Sequence, residues 1–194
     1  MTLRIVTLGD SLTVGYQTPS DANPDGEPTP YGQWVQELIG PSAEVIVSGV
    51  NGELTGEMAF RLARDVIAVK PDVAVILGGS NDLGWHAQPA AIMRNLVTMY
   101  ERCRSAGITP VAVTVPSIRG ADTLIPARRA LNQLILDYGR SRPQLAVDLF
   151  TATAEPETHR LAERYSNDGL HLTTEGYRVF AELVSRAIAS LAAR

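Results

Sequence analysis

Cysteine is nearly absent: Cys103 stands alone among 194 residues, so no disulfide can form within the chain and no cysteine cluster is available to hold zinc. It falls in an apolar helical stretch, the setting of a buried, inert thiol. No apolar run approaches the roughly 18 residues of a membrane-spanning helix. The N terminus enters an apolar run by Leu3, which leaves no room for the charged segment, apolar stretch and cleavage site of a secretory leader; a cytoplasmic location is therefore expected. Basic blocks are missing as well. Lys and Arg are scattered and the net charge is −4, so nucleic acid is not an expected partner. With no internal repeat, linker or low-complexity tract to divide it, the chain is expected to form a single domain over residues 1–194.

The composition that remains, 45% hydrophobic and 20% charged, is that of a globular protein with a sizeable core. Short β-rich apolar runs alternate with longer stretches of helical period. The runs predict about five strands: Leu3 to Leu8, Glu44 to Val47, Val73 to Leu77, Thr109 to Val115 and Leu145 to Leu149. Nearly continuous Val, Ile, Leu and Ala in the third and fourth implies burial on both faces, as in a parallel sheet flanked by helices. Helical stripes run through Met58, Leu62 and Val66; through Ile92, Leu96, Met99 and Cys103; through Leu131, Ile135 and Tyr138; and through Tyr177, Phe180, Val184, Ile188 and Leu191. Pro71 stops the first, while Pro89 opens the second and Gly107 caps it.

Three connections are longer than a compact α/β unit needs: Gln17 to Pro30, Pro116 to Ile125 and Phe150 to Ser166. All leave the carboxyl ends of strands, where open parallel sheets bind ligands, and are candidate pocket walls. Trp85 and the proline-rich first loop are candidates for an apolar wall. His86 is placed to line such a pocket, whereas His159, among Glu155, Glu157 and Arg160, reads as solvated.

Four short stretches fall at that same carboxyl edge: Gly9-Asp10-Ser11, Asn51-Gly52, Gly79-Ser80-Asn81-Asp82 and Asp168-Gly169-Leu170-His171. Each has an ordinary structural reading. Asp10 and Ser11 are common helix N-caps, Asn-Gly and Asp-Gly are common turns, and Asn81 or Asp82 can cap a helix. Together they carry one reaction. A serine hydroxyl needs a base to take its proton as it attacks a carbonyl, and imidazole, with a reference pKa of roughly 6.5, can take and return it. A carboxylate three positions before His171 can fix the imidazole tautomer. Gly52, lacking a Cβ, lets backbone approach a ligand, and the Asn81 amide is a neutral donor that needs no protonation.

In this order the four blocks resemble the signature of the SGNH hydrolases, the GDSL esterase and lipase family. The likeness spans residues 9 to 171 at few positions. It implies a three-layer α/β/α sandwich, flavodoxin-like, with a parallel sheet ordered 2-1-3-4-5. It implies Ser11, His171 and Asp168 as catalytic residues, and the backbone N–H groups of Ser11 and Gly52 with the Asn81 amide as oxyanion hole. The expected activity is hydrolysis of small acyl or aryl esters or thioesters, lysophospholipids included, through an acyl-serine, with no metal and no cofactor. A small-molecule ester is thus the expected partner, and oligomeric state is not read from the sequence. Carbohydrate O-acetyl esterase activity is the alternative within this chemistry, and a non-catalytic flavodoxin-like binding domain the alternative outside it. No G-x-S-x-G elbow directs the chain to the α/β-hydrolases, and no G-x-G-x-x-G follows the first strand.

Overall fold

The computed structural model describes residues 2–140 and 146–192, with side chains to residue 189. Its strands are β1 (Leu3–Gly9), β2 (Ala43–Gly49), β3 (Val73–Leu77), β4 (Thr109–Val113) and β5 (Ala146–Val147), all parallel and ordered 2-1-3-4-5. The helices are α1 (Ser11–Val14), α2 (Tyr31–Ile39), α3 (Thr55–Leu62), α4 (Ser80–Gly84), α5 (Pro89–Ser105), α6 (Ile125–Gly139), α7 (Leu149–Thr153) and α8 (Thr174–Ala192). The sheet is the middle layer of an α/β/α sandwich. Right-handed crossovers put α2 on one face, where it packs on α8, and α3, α5 and α6 together on the other. Val73 to Leu77 are buried throughout, as their unbroken apolar run requires. Among the described residues no helix is long and apolar enough to cross a membrane.

Strand ends depart from expectation where side chains take over the backbone. β4 stops at Val113 rather than Val115, because the Asn132 amide receives the Val115 N–H at 2.8 Å and donates to its carbonyl at 2.9 Å. β5 stops at Val147 rather than Leu149, because Asp148 accepts the Thr151 N–H at 3.0 Å and caps α7; Leu145 lies outside the described residues, as does the side chain of Leu191. β2 runs past both expected ends, from Ala43 to Gly49, following β1 residue for residue. Helix α2 follows the proline-rich loop directly and buries Tyr31 and Val35; the sequence stripes do not include it. The third long connection is only partly irregular, since it holds α7 and a 3₁₀ turn at Glu163–Tyr165.

The central register fixes where the site is built. Gly9 pairs with Gly49 on one side and Leu77 on the other, so β1, β2 and β3 end at one level, and each hands over to a turn carrying one of the four stretches. α1 folds back tightly over this edge. A Cβ on Gly9 would overlap both Thr13 Oγ1 and the Leu77 carbonyl, and one on Gly49 would lie 2.5 Å from the Val14 backbone nitrogen. Since the Leu77 carbonyl belongs to the central sheet and cannot swing aside, Gly9→Ala should cost about 1–3 kcal/mol or more, the usual scale of overpacking. Urea unfolding checks this; an unchanged midpoint would contradict the packing described.

Candidate functional site

At the end of β1 the chain turns on Asp10, whose Oδ1 accepts the Leu12 N–H at 3.0 Å and caps α1. The helix lasts one turn and ends at Gly15, where φ is +81°. This holds Ser11, 8% exposed, at the rim with its hydroxyl turned toward the other end of the chain. There Ser11 Oγ lies 3.1 Å from His171 Nε2.

His171 is oriented by the turn that precedes it. Asp168 Oδ1 accepts the backbone N–H groups of Leu170 at 2.9 Å and His171 at 2.8 Å, the local bonding for which Asp is favoured in turns. Its Oδ2 lies 2.7 Å from His171 Nδ1 and accepts the Thr18 hydroxyl at 2.7 Å. A carboxylate at Nδ1 calls for the proton on that nitrogen, leaving the Nε2 lone pair facing Ser11. Burial alone would raise the Asp168 pKa, but the bonds from Thr18, from the His171 ring and from the two backbone N–H groups outweigh it and hold the carboxyl well below the usual range. Tyr16 packs edge-on against the imidazole, ring centroids 4.5 Å apart. Gly169 has φ +83° and no room for a Cβ against the Arg119 carbonyl, while the Arg119 N–H reaches the Gly169 carbonyl at 2.8 Å.

The turns after β2 and β3 complete the rim. Gly52 has φ +75° and an open approach from solvent. The Asn81 amide donates to the Glu53 carbonyl at 3.0 Å and lies 3.5 Å from Asp10 Oδ2. Ser11, Tyr16, Asn51, Gly52, Asn81, Asp168, Leu170 and His171 line one open cleft of about 340 Å³. All five residues expected from the sequence therefore meet at one place. A larger groove of about 580 Å³, bordered by Leu38, Ile39 and Ile188, lies beside the start of β1, and the described residues that line it include no imidazole.

The long connections serve differently from expectation. None of them lines this cleft; instead Thr18 holds Asp168 from the first, Arg119 holds Gly169 from the second, and Ser166 Oγ, from the third, accepts the Gly169 N–H at 2.9 Å. Trp85 is 79% exposed and, with His86, lies outside the cleft. His159 is half-buried, its ring 6.5 Å from Phe150, rather than fully solvated. Cys103 is buried, and burial pushes its thiol up to about 11. Among the described residues no group of three or more His, Cys, Asp or Glu is arranged to hold a metal ion.

Four buried charged side chains beneath the rim were not singled out as working residues by the sequence: Glu53, Arg61, Asp82 and Arg128. Asp82 accepts the Thr55 N–H at 3.0 Å and its hydroxyl at 2.7 Å, tying α4 to α3. Arg128 donates to Ser80 Oγ at 3.2 Å and to the Pro116 carbonyl at 2.8 Å. It lies three residues before Leu131 on an apolar stripe, and a charge in that register was the signal available. Burial lowers the Arg128 pKa to about 10, while the charge of Asp10 opposes the shift.

Burial pushes the Asp10 carboxyl from the usual 3.8 up to about 7, against the Leu12 N–H and the Arg128 charge, which lower it. The folded protein thus holds this proton more tightly than the unfolded chain, and the contribution of Asp10 to stability is lost as pH rises from about 4 through about 7. Asp10→Asn keeps an acceptor for the Leu12 N–H but cannot ionise. Relative to wild type the variant should gain stability between pH 5 and pH 8, by an amount on the order of a few kcal/mol. Urea unfolding at both pH values tests this; a difference independent of pH would contradict it.

Comparison with known proteins places the chain. A curated arylesterase from Vibrio mimicus is 24% identical over 95% of this chain and 88% of its own length. The solved lipase/acylhydrolase of Enterococcus faecalis is 28% identical, covers 98% of this chain and 97% of its own, and superposes with a TM-score of 0.78. A catalytic mutant of an acetylxylan esterase from Geobacillus stearothermophilus, 17% identical over 97% of this chain and 95% of its own, shares the fold with a TM-score of 0.78. The model of the GDSL-like lipase/acylhydrolase family matches residues 7–179, from within β1 to within α8, and the chain belongs to that family.

Proposed function

We propose that this protein hydrolyses carboxylic esters or thioesters through an acyl-serine, with Ser11 as nucleophile, His171 as general base and acid, and Asp168 as the group that orients the imidazole. The observation that carries the reading is the unbroken line of hydrogen bonds from Ser11 Oγ to His171 Nε2 at 3.1 Å and from His171 Nδ1 to Asp168 Oδ2 at 2.7 Å. The site draws on residues from both ends of the chain, which supports treating 1–194 as one catalytic unit.

Ser11 Oγ attacks the carbonyl carbon as its proton passes to His171 Nε2, and the carbonyl π electrons move onto oxygen. The Asp168 carboxylate stabilises the imidazolium that results. The backbone N–H groups of Ser11 and Gly52 and the Asn81 amide receive the oxyanion, a neutral donor set that needs no protonation. When the oxyanion collapses, the bond to the leaving oxygen or sulfur breaks and His171 returns its proton to that atom. Water, activated by the same imidazole, then cleaves the acyl-serine and frees the acid.

The open cleft of about 340 Å³ suits a short acyl group with a leaving group that extends into solvent. Its rim combines Tyr16 and Leu170 with the polar Asn51 and Asn81, so both an aryl ester and an acetylated sugar fit its chemistry. The likeness to an arylesterase favours the first, and p-nitrophenyl acetate set against acetylated xylose distinguishes them.

Ser11→Ala should lower kcat for p-nitrophenyl acetate by on the order of 10⁶, as for other triad nucleophiles, and Asn81→Ala by roughly 10² to 10³. Hydrolysis that survives Ser11→Ala would contradict the mechanism, and a wild type inert toward every ester would favour a binding domain. Because Asp168 is held well below the usual carboxylate range, it stays ionised through mild acid. The imidazole can accept the serine proton only in its neutral form, so the wild-type rate should decline from neutral pH into acid. A rate that does not fall in acid would count against His171 as base.

A further inference from the structure

Beneath the rim lies a junction that the acyl-serine reading leaves without a task. Glu53 and Arg61 are each 7% exposed and form a bidentate pair, Arg61 Nε to Glu53 Oε1 at 2.6 Å and Arg61 Nη2 to Glu53 Oε2 at 2.6 Å. The rest of the guanidinium is fully engaged. Nη2 also donates to the Gly9 carbonyl at 3.0 Å and the Ser48 carbonyl at 3.2 Å, and Nη1 to Asp65 Oδ2 at 2.8 Å and to Ser48 Oγ.

These contacts touch the support of every oxyanion donor. Gly9 is the last residue of β1, two before Ser11, and its carbonyl also accepts the Val50 N–H at 3.0 Å, where the Gly52 turn begins. Glu53 follows Gly52 directly, so its clamped side chain fixes the end of that turn. The backbone carbonyl of the same Glu53 receives the Asn81 amide at 3.0 Å. One charged pair thus fastens three segments of the rim to each other, and it touches neither His171 nor Asp168.

The geometry points to Arg61 and Glu53 as positioning residues that set the Ser11, Gly52 and Asn81 donors at one spacing. This rests on the reading of those three as the oxyanion hole. Only a planar fork of five N–H donors can hold a carboxylate edge to edge and two strand-end carbonyls together, so lysine cannot substitute. Donors fixed in advance stabilise charge that develops only in the transition state, and a misplacement of about 1 Å can cost roughly 10² in rate. Losing the pair should therefore lower kcat and leave KM nearly alone.

Arg61→Lys and Glu53→Gln should each lower kcat for p-nitrophenyl acetate by about 10², with KM within about three-fold of wild type. Each should also weaken a trifluoromethyl ketone transition-state analogue by about the same 10². The acid limb of the pH–rate profile should stay in place, since the proton relay is untouched. Ile135→Val, in the core of α6, supplies a variant of lowered melting temperature with normal kcat, separating stability from positioning. If Glu53→Gln does not fold, Glu53→Asp keeps the charge, shortens its reach by one methylene and must show the same drop in kcat and in analogue affinity. A kcat at the wild-type level in the folded variants, or a loss carried entirely by KM, would overturn the inference. If those variants are fully active while Ser11→Ala is dead, only the positioning role fails; if Ser11→Ala retains activity, the oxyanion hole and this inference fail together.

Discussion

The contact on which the site depends is the one between Ser11 Oγ and His171 Nε2, two residues 160 positions apart. No local preference can make it. It exists because β1 lies inside the sheet, between β2 and β3, and ends level with both, and because α8 returns the end of the chain to pack on α2. The turn before α8 then delivers His171 to the place where β1 stops. Everything near the contact limits its freedom: Gly9 admits α1 without a Cβ in the way, Asp168 ties both the ring and the backbone of His171, and Tyr16 lies against the imidazole. Two residues from distant parts of the chain are thereby held at hydrogen-bond distance by the fold itself, and under the proposed mechanism folding meets the entropy of assembling them.

A second constraint is electrostatic. Asp10, Asp82, Glu53, Arg61 and Arg128 are all buried directly behind the rim. Burying charge costs several kcal/mol per ion unless partners compensate, and here they compensate unequally. Arg61 is saturated with acceptors, and its charged neighbours keep its pKa above the usual value despite burial. Asp10, with the Leu12 N–H as its close partner, is raised to about 7. An arrangement so costly in a domain core supports a role in holding backbone turns that short loops could not hold alone. The Asn81 amide, pinned between the Glu53 carbonyl and the Asp10 carboxylate, is where this layer reaches the surface.

What the sequence disclosed follows from which forces act locally. β3 was legible to the residue, because a strand buried on both faces must be apolar throughout. The five rim residues were legible because the four short blocks that carry them resemble a family signature in type and order, whereas each turn, hydroxyl, imidazole or amide alone has an ordinary structural reading. The misread boundaries lie where one side chain ends a strand from outside it: Asn132 on Val115, and Asp148 on the start of α7. Long-range pairing extended β2 beyond its apolar run. Of the three long connections the first follows α1 and the third begins inside α7 rather than at a strand end, and all three brace the Asp168-to-His171 turn from behind instead of walling the cleft. Arg61 and Glu53 were invisible because neither breaks a pattern in its own segment; their meaning appears only when Gly9, Ser48 and Asn81 come together around them.

The most direct measurement of the central claim is mass spectrometry of the protein after a fluorophosphonate probe, run on wild type and on His171→Ala. Phosphonylation needs a serine whose proton has somewhere to go. The account predicts one adduct, on the peptide containing Ser11, and its loss when the imidazole is removed. An adduct on another residue, or labelling of Ser11 that is as fast without His171, would contradict it.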